Sequence, residues 1–244
     1  MSELKAIADG VWSIDDSISP SAGFRMPVRA TLLRLASGDL VLHSPLAIDD
    51  DLAKQIAALG PVKTIVASNC MHWTFVGAAR MRYPDARLLG APGLEAKLGL
   101  PFDPLPESGS VLDELRVQRV AGALKMNEHV FLHEPSRSLV VSDLVFNVHG
   151  GANLPMSIVL WLNGAYRKAA QSRVWRFVVK DRSAAAQSAE AILDWDFDRV
   201  VVAHGDVIEG EARTRLRAAL SWMTKPAKAP AALREAAPGT SPSG

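Results

Sequence analysis

The sequence predicts an α/β domain in which two sheets lie between layers of helix. Three observations carry that expectation. Short apolar or β-branched runs alternate with stretches of helical apolar spacing along most of the chain. The alternation comes in two successive sets of strands, each flanked by helices, and such sets stack naturally as sheet on sheet with helices outside. A hydrophobic fraction of 48% with 22% charged residues over 244 residues matches one globular domain with a well-filled core. Periodicity alone also admits a single open, Rossmann-like sheet, so it establishes α/β and no more.

In chain order, residues 11–14 and 30–35 read as early strands, and Ser37-Gly38-Asp39 as the turn into a third at 40–43. Leu52, Ile56 and Leu59 fall at helical spacing across 49–59, and Gly60-Pro61 closes that helix. The β-branched stretch 62–67 predicts a buried strand, 77–83 a short helix ended before Pro84, 87–90 a strand and 93–98 a short helix. In the second half 115–120, 128–133 and 138–142 read as strands, the last two joined by Glu134-Pro135-Ser136-Arg137. An Ala-rich helix follows at 183–193 with Ser183 as N-cap, then a strand at 199–203 and a final helix at 209–223.

Residues 1–224 are expected to form one domain. Within it 147–180 stands apart, with Gly, Asn and Pro near its start, then Trp161, Tyr166 and Trp175 among Arg167, Lys168, Arg173 and Arg176. It predicts either an amphipathic lid inserted over a site or surface helices packed on the domain. Residues 225–244, rich in Pro, Ala, Ser and Gly without apolar periodicity, predict a disordered tail.

Net charge is +1, from 27 basic against 26 acidic residues, so the overall balance favours neither nucleic acid nor an anionic membrane as partner. No apolar run is long enough to span a bilayer, and the first residues lack a signal-peptide core, which predicts a cytoplasmic protein. The single cysteine, Cys70, excludes an intrachain disulfide framework and a Cys-rich zinc module.

Chemistry is sought where polar side chains follow apolar strands directly. His72 comes shortly after 62–67, Asp143 follows Leu139-Val140-Val141-Ser142, and His204 follows Val200-Val201-Val202-Ala203. Each alone is most simply a hydrogen-bonded strand-end residue, and Asp143 would serve as a turn cap. Together, two imidazoles and a carboxylate form a three-ligand set for one divalent ion, Zn or Fe, with positions left open for water. Cys70, two residues from His72 on an extended segment, would alternatively form a thiolate–imidazolium pair for metal-free catalysis.

These stretches resemble the metallo-β-lactamase-fold superfamily. The run Thr64–Gly77 is similar to the strand and loop carrying its His-x-His-x-Asp-His motif, Ser138–Phe146 to the strand ending in a metal-bridging Asp, and Arg199–Asp206 to the last ligand strand. More closely, His43-Ser44-Pro45, Leu59-Gly60-Pro61-Val62, Tyr83-Pro84-Asp85-Ala86 and Trp195-Asp196-Phe197-Asp198-Arg199 look like the DUF4336 branch, over about residues 10–222. The resemblance implies a four-layer αβ/βα sandwich.

The metal motif is largely rewritten. The His-x-His-x-Asp-His run reads here Cys70-Met71-His72-Trp73-Thr74-Phe75: the first His has become Cys70, still capable of ligation, and the Asp and third His have become Thr74 and Phe75. The Gly-His-Thr expected before residue 128 is missing, since Ala121-Gly122-Ala123-Leu124 offers no ligand. The resemblance therefore argues against a dinuclear centre and leaves His72, Asp143 and His204, with Cys70 as a fourth ligand. Because those positions do not all serve one metal in the superfamily, a mononuclear site would need rearrangement. His43 stands where a supporting Asp is common, as a replacement ligand, a donor behind the metal or a strand-end hydrogen bond. His149, in the Gly-rich start of 147–180, is placed to reach the site. His129 and His133 share one face of a packing strand.

Two functions follow from the resemblance and the surviving trio. One is a hydrolase that uses metal-activated water on an ester, thioester, lactone or phosphoester, with His72, Asp143 and His204 at its centre. The other is a metal-free protein of the same fold that binds a small molecule or partner, with Thr74 and Phe75 filling the lost ligand space and Trp73 and the 147–180 aromatics lining the pocket.

Overall fold

Strand-sized apolar runs pair into two sheets in the computed structural model of the chain, which describes residues 3–224. The first sheet takes its strands in chain order: β1 (Glu3–Ala8), β2 (Val11–Ile18), β3 (Met26–Arg34), β4 (Leu40–His43), β5 (Val62–Ala67), β6 (Arg87–Gly90) and β7 (Asp103–Pro104). Antiparallel hairpins join β1 to β4, and β4 to β7 run parallel. Parallel neighbours need crossovers, supplied by α1 (Asp50–Leu59), α2 (Val76–Arg82) and α3 (Glu95–Leu98). The second sheet holds β8 (Ser108–Leu112), β9 (Leu115–Arg119), β10 (His129–His133), β11 (Ser138–Val141), β12 (Arg199–Val202) and β13 (Ile208–Glu209), again in chain order. Only β11 and β12 are parallel there. Their crossover carries α4 (Leu154–Leu162), α5 (Trp175–Val178) and α6 (Arg182–Leu193), and α7 (Ala212–Ala219) and α8 (Ser221–Thr224) close the fold.

The layer count follows from the period-2 alternation of side chains. In β5, Ile65 joins the core under α1 and α2, while Val66 joins the core between the sheets. In β12, Val201 faces the other sheet, while Val200 and Val202 pack under α6, α7 and α8 with Ile192, Leu216 and Met223. Three apolar layers between four structural ones make the αβ/βα sandwich and exclude the single open sheet. At about 25 cal/mol per Å² of apolar surface, these strands, buried on both faces, are the main stabilising elements.

Local chemistry shifts several boundaries. Asp49 caps α1 by accepting the Leu52 N–H at 2.8 Å. The Ala-rich helix begins at Arg182 rather than 183, because Asp181 and not Ser183 is its N-cap, accepting the Ala184 N–H at 3.0 Å. The final helix does not start at residue 209: Ile208 and Glu209 pair with β12, and helix resumes at Ala212 after Glu211 at φ 49°. Strands β1, β7 and β8 lack a sustained apolar run and were not expected from periodicity. The predicted tail, 225–244, lies outside the described residues.

Parallel pairing places the ends of β4 and β5 together, and those of β11 and β12. Cross-sheet bonds then join the two ends: the His129 N–H donates to the Ser68 carbonyl at 2.9 Å and the Arg29 N–H to the Ala203 carbonyl at 2.8 Å. Ser44, Ser68 and Ser142, all fully buried, close a hydroxyl triangle with sides of 2.7, 2.9 and 3.2 Å across the sandwich.

Candidate metal centre

His72, Asp143 and His204 converge at this edge. The Nε2 atoms of His72 and His204 are 3.2 Å apart, His72 Nε2 is 3.5 Å from Asp143 Oδ2, and His204 Nε2 is 3.4 Å from Asp143 Oδ1. Among the described residues, this trio has ligand atoms within 4.8 Å of one another and is the group able to hold a metal ion. A tetrahedral ion with bonds of about 2.0–2.1 Å needs ligand–ligand edges of roughly 3.3–3.4 Å. The His72–His204 edge is close to that value and each imidazole meets one Asp143 oxygen, so the donor set lies within a small adjustment of holding one such ion.

Each ligand is oriented from behind. The Pro27 carbonyl lies 2.9 Å from His204 Nδ1, and a carbonyl can only accept, so the proton sits on Nδ1 and the Nε2 lone pair faces the centre. Phe146 stacks on the same ring at 4.9 Å between centroids. Gly205 lets the chain leave His204: its φ is +102°, and a Cβ there would lie 2.2 Å from the Asn147 carbonyl oxygen. Asn69 serves both other ligands: Oδ1 accepts the Met71 and His72 N–H groups at 2.8 Å, and Nδ2 donates to Asp143 Oδ2 at 2.8 Å.

Asp143 does not cap its own turn, the simpler role open to a lone Asp at a strand end. That task falls to Glu128, fully buried, whose carboxylate accepts the N–H groups of Ser142, Asp143 and Leu144, each at 2.9 Å. From the other side, Trp175 Nε1–H donates to the Asp143 carbonyl at 2.7 Å. The Asp143 side chain is thus free to face the imidazoles.

Electrostatics match this arrangement. Burial raises the Asp143 pKa, but the two imidazoles outweigh it and hold the carboxyl far below the usual range. Burial lowers the His72 pKa, and is outweighed by the charge and hydrogen bond of Asp143 and by Glu128, so the ring's pKa is raised. The centre thus attracts one positive charge, borne by a proton on His72 or by a metal ion. Burial, then the Asp143 charge, push Glu128 up to about 7, against the pull of its N–H donors.

The trio opens into a cleft of about 200 Å³. Trp73, Thr74 and Phe75, the residues in place of the lost motif, line it, as do Met26, Leu46 and other apolar side chains. Lysine and arginine do not occur among the described residues lining it.

Four expectations are corrected. Cys70 is not in the ligand cluster: Sγ points toward the Pro92 carbonyl at 3.7 Å and joins the core under α1 and α2. Burial raises its pKa, opposite to what a thiolate–imidazolium pair needs. His43 points between the sheets, edge-on to Phe131 at 5.3 Å, and does not line the cleft. Desolvation, helped by His72, lowers its pKa to about 3. His149 is exposed and hydrogen-bonds Asn147 Oδ1 at 3.0 Å, away from the cleft. No described residue of 147–180 lines the cleft, so the segment is not its lid. Outside the trio, His133 is held by Ser136 at 2.7 Å and by the Arg34 carbonyl at 3.0 Å. Asn69, Glu128, Trp175 and the serine triangle escaped sequence reasoning. Two signals were available: a carboxylate at the head of a strand with no other Asp, Glu, Lys or Arg side chain, and a serine directly after each of three strands.

Comparison with known proteins agrees with this architecture. The sequence profile of DUF4336, a domain of unknown function, matches residues 8–168. No curated protein matches the chain in sequence. Solved structures do match in fold: the metallo-β-lactamase TMB-1 (TM-score 0.64, 11% identity, 92% of this chain and 99% of that one), the mono-zinc form of FIM-1 from Pseudomonas aeruginosa (0.62, 15%, 92% and 97%), and a metallo-β-lactamase from Pontibacter korlensis (0.62, 13%, 93% and 100%). At these identities they show the fold alone.

Proposed function

Because the chain belongs to the DUF4336 family and carries a three-ligand cluster at the edge of its sandwich, we propose that it is a hydrolase with one divalent ion, Zn or Fe, held by His72, Asp143 and His204. The observation that supports this most directly is the convergence of two imidazole Nε2 atoms, 3.2 Å apart, on the Asp143 carboxylate, whose two oxygens each lie 3.4–3.5 Å from one ring. The Nε2 lone pair on His204, oriented by the Pro27 carbonyl, is available to an ion in place of the His72 proton. The mono-zinc FIM-1 structure is a precedent for one ion in this fold. When bound, such an ion supplies Lewis acidity and a lowered pKa for water.

The chain's own groups do the rest. Asp143, anchored through Asn69, Glu128 and Trp175, accepts a hydrogen bond from the attacking water and so orients it. Apolar walls contributed by Met26, Leu46, Trp73 and Phe75 hold the acyl part and exclude bulk water. With no lysine or arginine in the described lining, the second negative charge of a phosphoester has no partner. The apolar lining favours an uncharged ester, thioester or lactone with an apolar acyl group over a charged phosphoester.

The test is metal analysis of protein purified without an affinity tag, followed by zinc titration and assay on acyl esters of increasing length. One equivalent of metal, lost in His72→Ala and His204→Ala together with activity, is expected. Protein that neither contains nor takes up metal refutes the proposal. Retention of a bound apolar ester by the metal-free double variant would instead support the binding-protein reading, which the presence of Thr74 and Phe75 in the cleft favours.

A further inference from the structure

The crossover between β11 and β12 presents an apolar face that the fold leaves uncovered. Helix α4 buries only Met156 and Leu160. Leu154, Ile158, Trp161 and Leu162 recur at helical spacing on its other side, each more than half exposed, with Trp161 at 68%. On α5, later in the same crossover, Phe177 is 76% exposed. Arg173 ties the two together: its N–H donates to the Asn163 carbonyl at 2.9 Å and its guanidinium to the Leu162 carbonyl at 3.0 Å.

Charge on the same segment is one-sided. Residues 144–180 contain Arg167, Lys168, Arg173, Arg176 and Lys180 and no Asp or Glu. All five cations are exposed, and none has an ion-pair partner among the described residues. Arg176 lies over the Trp222 ring at 5.6 Å, and Lys168 and Arg173 border one surface depression with Trp161 and Leu162. In a chain of net charge +1 this is a local concentration that the total conceals.

Three occupants can be weighed by their chemistry. A second copy would set these cations against their own counterparts. A nucleic acid would engage the cations and leave Leu154, Ile158 and Leu162 in water. An anionic bilayer satisfies both features: aliphatic side chains enter the acyl boundary, Trp161 sits at the headgroup level, and the cations meet phosphate. We propose that the face formed by α4 and α5 docks the protein peripherally on anionic phospholipid membranes. No helix among the described residues is long and apolar enough to cross a membrane, so the contact is one of surface binding. The docking helix is connected to the cleft through one neighbouring segment. Asn153, the N-cap of α4, donates to the Gly23 carbonyl at 2.8 Å and accepts the Arg25 N–H at 3.1 Å, and the next residue, Met26, packs against α4 and lines the cleft.

Vesicle co-sedimentation of the full chain tests this, with equimolar phosphatidylglycerol–phosphatidylcholine against phosphatidylcholine alone. Binding to the anionic vesicles and little to the neutral ones is expected, falling with added salt. Ile158→Ser with Trp161→Ser, and separately Arg167→Gln with Lys168→Gln, should each weaken binding about tenfold or more. These positions are exposed, and an unchanged circular dichroism spectrum and zinc uptake confirm that each variant folds. Absence of binding to anionic vesicles overturns the proposal. So does equal binding to both vesicle types, a dimer in solution that Trp161→Ser dissolves, or vesicle binding that both double variants retain.

Discussion

The two sheets contribute unequally to the shared edge. The second supplies two ligands, and both are braced by backbone: Asp143 by three N–H groups clamped on Glu128 and by Trp175, His204 by Pro27, Phe146 and the close passage at Gly205. The first supplies one, His72, on a loop whose N–H groups are held by Asn69 and whose start at Cys70 is tied to Met126 and Lys97. Where the superfamily motif would add further ligands to that loop, Thr74 and Phe75 line an apolar cleft. The contrast teaches that bracing and ligand retention go together. The sheet end with a built-in carboxylate clamp carries Asp143 and His204, and the loop without one carries His72 beside the cleft-lining Trp73, Thr74 and Phe75.

The largest expected effect comes from breaking the braced side. In Gly205→Ala the new Cβ overlaps the Asn147 carbonyl, at a φ that disfavours any side chain. It should lower stability by roughly 4 kcal/mol or more and abolish metal uptake, read by denaturant unfolding and zinc titration. Glu128→Ala comes next. Three buried N–H groups lose their acceptor, which should cost roughly 3 kcal/mol and weaken metal binding, whereas Asn69→Ala should weaken metal binding with a smaller loss of stability.

Acidification probes the interior between the two ends. Burial lowers the pKa of His43 to about 3 and of His129 to about 4. Between those values and the unfolded value near 6.5, the unfolded chain binds more protons. Stability is therefore complete above pH 6.5 and falls as pH drops. By pH 5 each ring should account for a loss of about 2 kcal/mol. His129→Gln should reduce the drop in unfolding free energy between pH 7 and pH 5 by about that amount, and an unchanged drop would show the ring to be charged when folded. The smallest effect should be Cys70→Ala: with Sγ turned to Pro92, zinc affinity should stay within about twofold, with a stability loss of ~1 kcal/mol from lost packing. A large loss of zinc affinity would place the thiol among the ligands.

Much of this was legible in the chain itself. The strands 62–67 and 87–90 coincide with β5 and β6, because a β-branched apolar run bounded by turn residues has few other options. The trio was legible for a related reason: a polar residue ending a buried strand must emerge at a sheet edge. What escaped were residues whose meaning is a partner far along the chain. Glu128 reads as an ordinary strand start, and only the fold brings the turn at 142–144 to its carboxylate. His149 and Cys70 erred the other way, since nearness in sequence to a site says nothing of which way a side chain turns. The 147–180 segment was correctly set apart by composition, but its aromatic and basic residues cover a different face from the cleft.

Composition and apolar rhythm by themselves determined that this chain is α/β and where polar groups leave its strands, because period and burial are local properties of a few consecutive residues. Tertiary structure alone decided that two imidazoles and a carboxylate stand 3.2–3.5 Å apart. It also decided that a buried glutamate holds one of them in place and that the exposed helix contributes no described residue to the cleft lining. Those facts depend on contacts between separate segments, some more than a hundred residues apart as for His72 and His204, and sequence spacing does not encode distance across a core.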